Sequence, residues 1–144
     1  MKRRILPVFF FFTVVLLWSQ SSAAEHLSYI GMTLTEVIEN LGVPETVATA
    51  RGAEIWQDDV VFQYPAVELY IYRDRVWQIK PASSHGISNR DSKTVVLLTL
   101  GDTAQDFGDY ILMPITGRNW PLILRVNFND AGQVTAIYIY RPDY

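Results

Sequence analysis

Ala66–Pro81 reads AVELYIYRDRVWQIKP, two runs of aromatic and β-branched residues separated by Arg73-Asp74-Arg75. Side chains of these types favour strands, and the charged interruption marks a turn. A three-residue loop at Arg73–Arg75 pairs Ile71 with Trp77 and Leu69 with Ile79, placing four apolar side chains on one face. Glu68, Tyr70, Tyr72, Val76, Gln78 and Lys80 then share the other face. Trp77 is assigned to the core. A second sheet-forming stretch, EIWQDDVVFQYP, lies just before the hairpin.

Ahead of these strands stands GMTLTEVIENLGVP, Gly31 to Pro44. Thr33 and Glu36 have the spacing of a capping box, and Met32 with Val37 that of a hydrophobic staple. Leu34, Val37, Ile38 and Leu41 recur at i, i+3, i+4 and i+7, so one apolar stripe faces inward. Gly42 and Pro44 end the helix. So short a helix is unstable alone and requires a surface to pack on.

The same order returns after the polar linker Pro81–Arg90. A shift of 59 residues lays Val37, Ile38, Leu41 and Gly42 on Val96, Leu97, Leu100 and Gly101. Leu34 falls on Lys93, and Pro44 has no counterpart. TVVLLTL is read as a helix capped by Ser88 with Asp91, or by Asp91 and Ser92; a buried strand is the competing assignment. LILRVNFNDAGQVTAIYIY then forms a hairpin whose loop needs Gly132 in a left-handed conformation. The fold expected is α+β, two tandem repeats of a short helix plus antiparallel strands, with the helices on one sheet face. The first repeat spans residues 25–82 and the second 83–144.

Lys2-Arg3-Arg4, an apolar run from Val8 to Trp18 and the small residues Ser22-Ala23-Ala24 have the layout of a secretory signal peptide over residues 1–24. The run is shorter than the about 20 residues needed to span a bilayer. Cleavage after Ala24 leaves nine basic residues against fifteen acidic, a balance of −6, with no basic stripe for nucleic acid. The chain has no cysteine, so neither a disulfide nor a lipidated cysteine enters the reading. The expected location is periplasmic or secreted.

The Gly-Met-Thr start, the helix ending Leu-Gly-x-Pro and the hairpin spacings Val76/Ile79 and Val134/Ile137 resemble the BamE/SmpA/OmlA family. The tandem layout is similar to the beta-lactamase inhibitor protein fold. The resemblance is best over Gly31 to about Lys80, and in the second half it rests mainly on the terminal hairpin. It implies short helices on one side of an antiparallel sheet, used as a protein-interaction module of the bacterial envelope. The lipoprotein cysteine of the assembly type and the disulfides of the inhibitor branch have no counterpart here, so lipid attachment and a beta-lactamase target do not carry over.

Catalytic residues are sparse. His26 and His85 fall beside the cleavage site and in the linker, where solvated loop histidines are expected in place of a metal pair. Ser83-Ser84-His85 lacks a nucleophile elbow and is treated as linker. Asp58-Asp59 is read as a solvated turn, not an acid–base pair or a cation site. Asp102, Asp106 and Asp109, with Gly101 and Gly108 among them, lack calcium-loop spacing. No catalytic residue, metal or cofactor is assigned.

Aromatic side chains on strands are abundant, and Tyr and Trp dominate binding hot spots. The expected function is a non-catalytic envelope interaction module that presents an aromatic, mildly acidic sheet face or its loops. The binding residues assigned are Trp56, Tyr70, Tyr72, Trp120, Tyr138 and Tyr140. The partner is another envelope or secreted protein, and an uncovered sheet edge offers a route to pairing two copies. The alternative is a binder of small ligands or lipid headgroups, with an apolar molecule held between helices and sheet.

Overall fold

The computed structural model describes residues 26–51 and 57–144. The signal-peptide assignment and the binding assignment of Trp56 lie outside the described residues. In chain order the elements are helix α1 (Leu34–Leu41), β1 (Thr46–Arg51), β2 (Asp58–Tyr64), β3 (Val67–Tyr72), β4 (Arg75–Pro81), β5 (Ser83–Ser84), β6 (Ile87–Ser88) and helix α2 (Lys93–Leu100). A 3-10 turn at Gly101–Thr103 leads to β7 (Gln105–Asp106), β8 (Tyr110–Ile115), β9 (Leu122–Phe128) and β10 (Val134–Tyr140).

The expectation of two helix-plus-sheet repeats is corrected. Eight of the strands form one sheet in the order β1-β2-β3-β4-β10-β9-β8-β7, while β5 and β6 pair with each other apart from it, and every pairing is antiparallel. Its centre is the β4–β10 pair, where Ile79 faces Ile139 and Gln78 faces Tyr140. A single core cluster runs through Leu69, Ile79, Ile137, Leu124 and Ile111, and it includes both Val37 and Val96. Each eight-residue helix therefore adds one fully buried side chain to a core built mainly by strands. Burying one valine returns only about 1.5–3 kcal/mol, less than the ordering cost of two helical turns. The helices depend on the sheet they join, and the sheet is common to both.

Helix α1 starts as its sequence dictates. The Thr33 hydroxyl accepts from the Glu36 amide (3.2 Å), and the Glu36 carboxylate accepts from the Thr33 amide (2.7 Å). That backbone donor, with the Thr33 hydroxyl, holds the Glu36 carboxyl below its ordinary range. Tyr64 on β2 donates to the Gly42 carbonyl (2.9 Å), tying down the helix end. Residues 93–100 are helical, with the Ser92 hydroxyl accepting from the Val95 amide (3.4 Å). Periodicity was ambiguous there because outward positions are also apolar: Leu98 is 80% exposed and Val95 45%.

The β3–β4 hairpin differs from the sequence expectation. Arg73 and Asp74 both have positive φ (49° and 59°), forming a two-residue turn that pairs Tyr72 with Arg75. Ile71 then faces Val76, while Leu69 still faces Ile79, so Trp77 is an extra residue, a β-bulge. Val76 takes the fully buried core position that the sequence reading gave to Trp77. The sequence hides this because positive φ favours Gly or Asn, and Arg-Asp is an unusual pair for such a turn.

The freed backbone of Val76 is paired elsewhere. Its N–H donates to the Met32 carbonyl (2.9 Å), and its carbonyl accepts from the Gly31 N–H (2.8 Å). Asp74 accepts from the Leu34 amide (3.1 Å), and Arg75 donates to the Gly31 carbonyl (3.0 Å). The β9–β10 hairpin does the same for α2. Its register shifts between Val134 and Ala136; the Val134 N–H donates to Asp91, its carbonyl accepts from Arg90, and Lys93 donates to Gly132. Gly132, at φ 70°, occupies the left-handed loop position its sequence requires.

Gly31 has φ 92°, and a Cβ there would lie 3.1 Å from the Trp120 ring. Gly132 also has positive φ (70°), but with no atom within 4 Å of such a Cβ. Gly31→Ala is therefore expected to cost about 2–3 kcal/mol and Gly132→Ala about 1 kcal/mol. Urea unfolding of the two variants checks the ranking, and equal losses would contradict the packing described at Gly31.

Candidate functional site

Strand alternation leaves one sheet face to the core and exposes the other. On β3, Leu69 and Ile71 are buried while Glu68, Tyr70 and Tyr72 are half-buried; on β10, Ile137 and Ile139 are buried while Tyr138 and Tyr140 are half-buried. Rows of side chains cross the open face through the strand registers. One runs Val61, Tyr70, Gln78, Tyr140 and Ile123; beside it lie Gln63, Glu68 and Lys80 across β2 to β4, and Tyr138 and Arg125 across β10 and β9.

Within these rows the aromatic rings meet edge to face. Tyr70 and Tyr138 have centroids 6.5 Å apart at 67°, and Trp77 and Tyr140 are 6.4 Å apart at 73°. The bulge thus delivers Trp77 to the open face instead of the core cluster. It is only 8% exposed, and its indole N–H donates to Asp59 (3.2 Å). Tyr70 donates to Glu68 (3.1 Å), which also holds Lys80 (2.8 Å). Burial, and then the Glu68 carboxylate, push the Tyr70 phenol well above its ordinary range, so it stays a neutral hydroxyl. Tyr70, Tyr138, Tyr140 and Trp77 line an open groove of about 550 Å³.

The remaining lining includes Arg51, Arg125 and Arg141 and no Asp or Glu residue. Acids of the same face lie beside the groove and are paired, Glu68 with Lys80 and Asp59 with Trp77. Arg51 meets Asp58 (3.1 Å) and Arg141 meets Asp143 (2.7 Å). Arg125 lies over the Tyr110 ring, 4.0 Å from its centroid, and donates through Nε to Asn127 (2.8 Å). The alternation of LILRVNF contains the signal for Arg125, since Leu122, Leu124 and Val126 point inward and Ile123, Arg125 and Asn127 outward. Reading only the aromatic residues passed over it.

Two of the assigned binding residues fall outside the groove. Tyr72 sits at the end of β3 with the Arg73 guanidinium 5.2 Å from its ring centroid. Trp120 belongs to the β8–β9 connection, where it packs on Gly31 and beneath Arg141, 5.0 Å from its centroid. The groove also lies on the face opposite the core, so no ligand space between helices and sheet is found at this position.

Other candidate residues are also relocated. Asp58 and Asp59 open β2 in place of a solvated turn, with Asp58 exposed and Asp59 only 2% exposed against Gln57 and Trp77. Asp106 pairs with Lys93 (2.6 Å) and accepts from the Gly108 amide (2.9 Å), capping its own turn. Among the described residues no group of three or more His, Asp or Glu side chains is gathered as metal ligands. None of their helices is long and apolar enough to cross a membrane, which leaves strand-built membrane structures untouched. His85 is half-buried, not solvated, and its Nδ1 lies 2.8 Å from the Ser84 hydroxyl. Ser84 is 4% exposed, closed to a substrate.

No protein-family model matches the chain, and no curated protein matches it. Among solved structures it is similar to an extracellular protein containing a SCP domain from Bacillus anthracis str. Ames, with a TM-score of 0.52 and 12% identity. The match covers 90% of this chain and 51% of that one, so the chain spans about half that protein's length. At this identity the likeness is one of fold.

Burial holds the His85 imidazole below its ordinary 6.5. The unfolded chain therefore binds more protons, and this contribution to stability falls as pH drops from about 6.5 through the folded value. The lowered carboxyls of Glu36, Asp106 and Asp143 act only in more acidic solution, below their ordinary 4.5 and 3.8. His85→Asn, which keeps a residue tolerant of φ 51°, is expected to lose less stability between about pH 7.5 and pH 5.5 than the parent. Urea midpoints at both pH values decide it, an equal loss counting against burial of the imidazole.

Proposed function

We propose that the protein is a non-catalytic, secreted or periplasmic interaction module that binds another envelope protein through the open sheet face. One observation carries the reading: Tyr70, Tyr138, Trp77 and Tyr140 lie together in a groove that no element of the described chain covers. Aromatic rings held by neighbouring strands offer large contact area with few rotors to freeze, the property that makes Tyr and Trp binding anchors. Export is supported by the basic, apolar and small-residue succession from Lys2 to Ala24. The extracellular protein that shares the fold is consistent with it.

A second reading has its own support. The groove volume of about 550 Å³ falls in the range of small-ligand sites, about 300–1,000 Å³. A thermal shift on adding a lipid extract, lost in Tyr138→Ala, would favour it over a protein partner.

In-cell crosslinking through a photoreactive residue at Gln78, a half-buried residue of the groove lining, followed by identification of the captured protein, tests the main reading. Tyr138→Ala is expected to weaken the identified partner by about 2 kcal/mol, roughly thirtyfold. Tyr72→Ala, outside the groove, is expected to change affinity by less than about 0.5 kcal/mol. Calorimetric titration measures both, and a partner indifferent to Tyr138→Ala would rule out this face.

A further inference from the structure

Arg125 is held in an unusual position for an arginine on a binding face. Its guanidinium is stacked on Tyr110 and oriented through Nε by Asn127, so the planar fork is already fixed. Among the described residues its Nη groups have no hydrogen-bond partner, and the ion pairs formed there leave it without a carboxylate. Arg51 and Arg141, on the same groove, each bring their own acid. A half-buried cation with two idle donor nitrogens lies beside Tyr138, its cross-strand neighbour.

We infer that the groove recognises a carboxylate side chain projecting from an acidic segment of a partner protein, with Arg125 as its anchor. This rests on the reading of the open face as an interface and names the chemistry that the interface selects. A fixed guanidinium fork matches a carboxylate in bidentate geometry, whereas an ammonium would not. The molecule as a whole is acidic, with a net charge of −3, so attraction of an acid here is local to the groove and not a general field. A half-buried fork between tyrosine rings admits a narrow side chain, while a flat bilayer of anionic headgroups presents no such projection. Stacking on Tyr110 lowers the cost of ordering Arg125 on binding, because little rotamer freedom remains to be lost.

The test uses the exported protein labelled with nitrogen-15 and three blocked hexapeptides: Glu-Thr repeated three times, and the same sequence with Gln or Lys replacing Glu. The Glu peptide is expected to shift the Arg125 Nε and Tyr138 amide signals, while the Gln and Lys peptides do not. Arg125→Gln should weaken the Glu peptide about tenfold, and Arg125→Lys less, since charge without the fork remains. Circular dichroism of both variants confirms that they fold. Equal shifts with the Gln peptide, no response to the Glu peptide, or Arg125-dependent binding to phosphatidylglycerol vesicles in its place would overturn the inference. Crosslinking of the partner separates the two levels. Retention in Arg125→Gln with loss in Tyr138→Ala overturns acid recognition but leaves the interface standing; retention in both overturns both.

Discussion

Two backbone carbonyls and two amides organise the molecule. Val76 and Val134 each sit where a bulge shifts a strand's register, and each exchanges both hydrogen bonds with the segment leading into a helix. Buried backbone groups must be paired, so these exchanges decide where α1 and α2 begin. The helices themselves bury one valine apiece fully, with Ile38 and Leu41 of α1 and Leu97 and Leu100 of α2 packed partly buried beside it. The β3–β4 bulge also sends Trp77 to the face where Tyr140 and Asp59 receive it. One irregularity thus fixes a helix on one side of the sheet and an aromatic wall on the other.

The open face combines properties that oppose one another in most surfaces. Its rings are immobilised by edge-on contacts and by hydrogen bonds to acids, which removes much of the entropy cost of binding. Its acids are internally committed: Glu68 to Lys80 and Tyr70, Asp59 to Trp77 and Gln57. What remains outward is aromatic carbon, amide and guanidinium. An acidic chain thereby presents a groove with no Asp or Glu in its lining.

The local elements were legible where a residue type has a single physical use. Thr33 with Glu36 specifies a helix start, and Gly132 a left-handed loop position. Tyr70, Tyr138 and Tyr140 were traceable because strand alternation alone assigns them to one face. Trp77 was not, since Arg73 and Asp74 adopt backbone angles that their side chains do not advertise, and one extra residue exchanges the faces of Val76 and Trp77 while leaving Ile79 opposite Leu69. The joining of eight strands from both halves of the chain into one sheet was equally hidden. It depends on β4 meeting β10 across sixty residues of chain, and no local pattern records the encounter at Ile79 and Ile139. Trp120 was misplaced for a related reason, as its contact with Gly31 is tertiary.

The sheet's two borders are unlike. β1 offers six residues, of which Ala50 alone is more than slightly sheltered, whereas β7 offers two. Joining β1 to β7 of another copy would be head-to-tail and open-ended, but so short a strand gives that union few hydrogen bonds. Joining β1 to β1 about a twofold axis would use up the long border of both molecules and stop there. Among the described residues, then, β1 is the border with room for a full-length neighbouring strand.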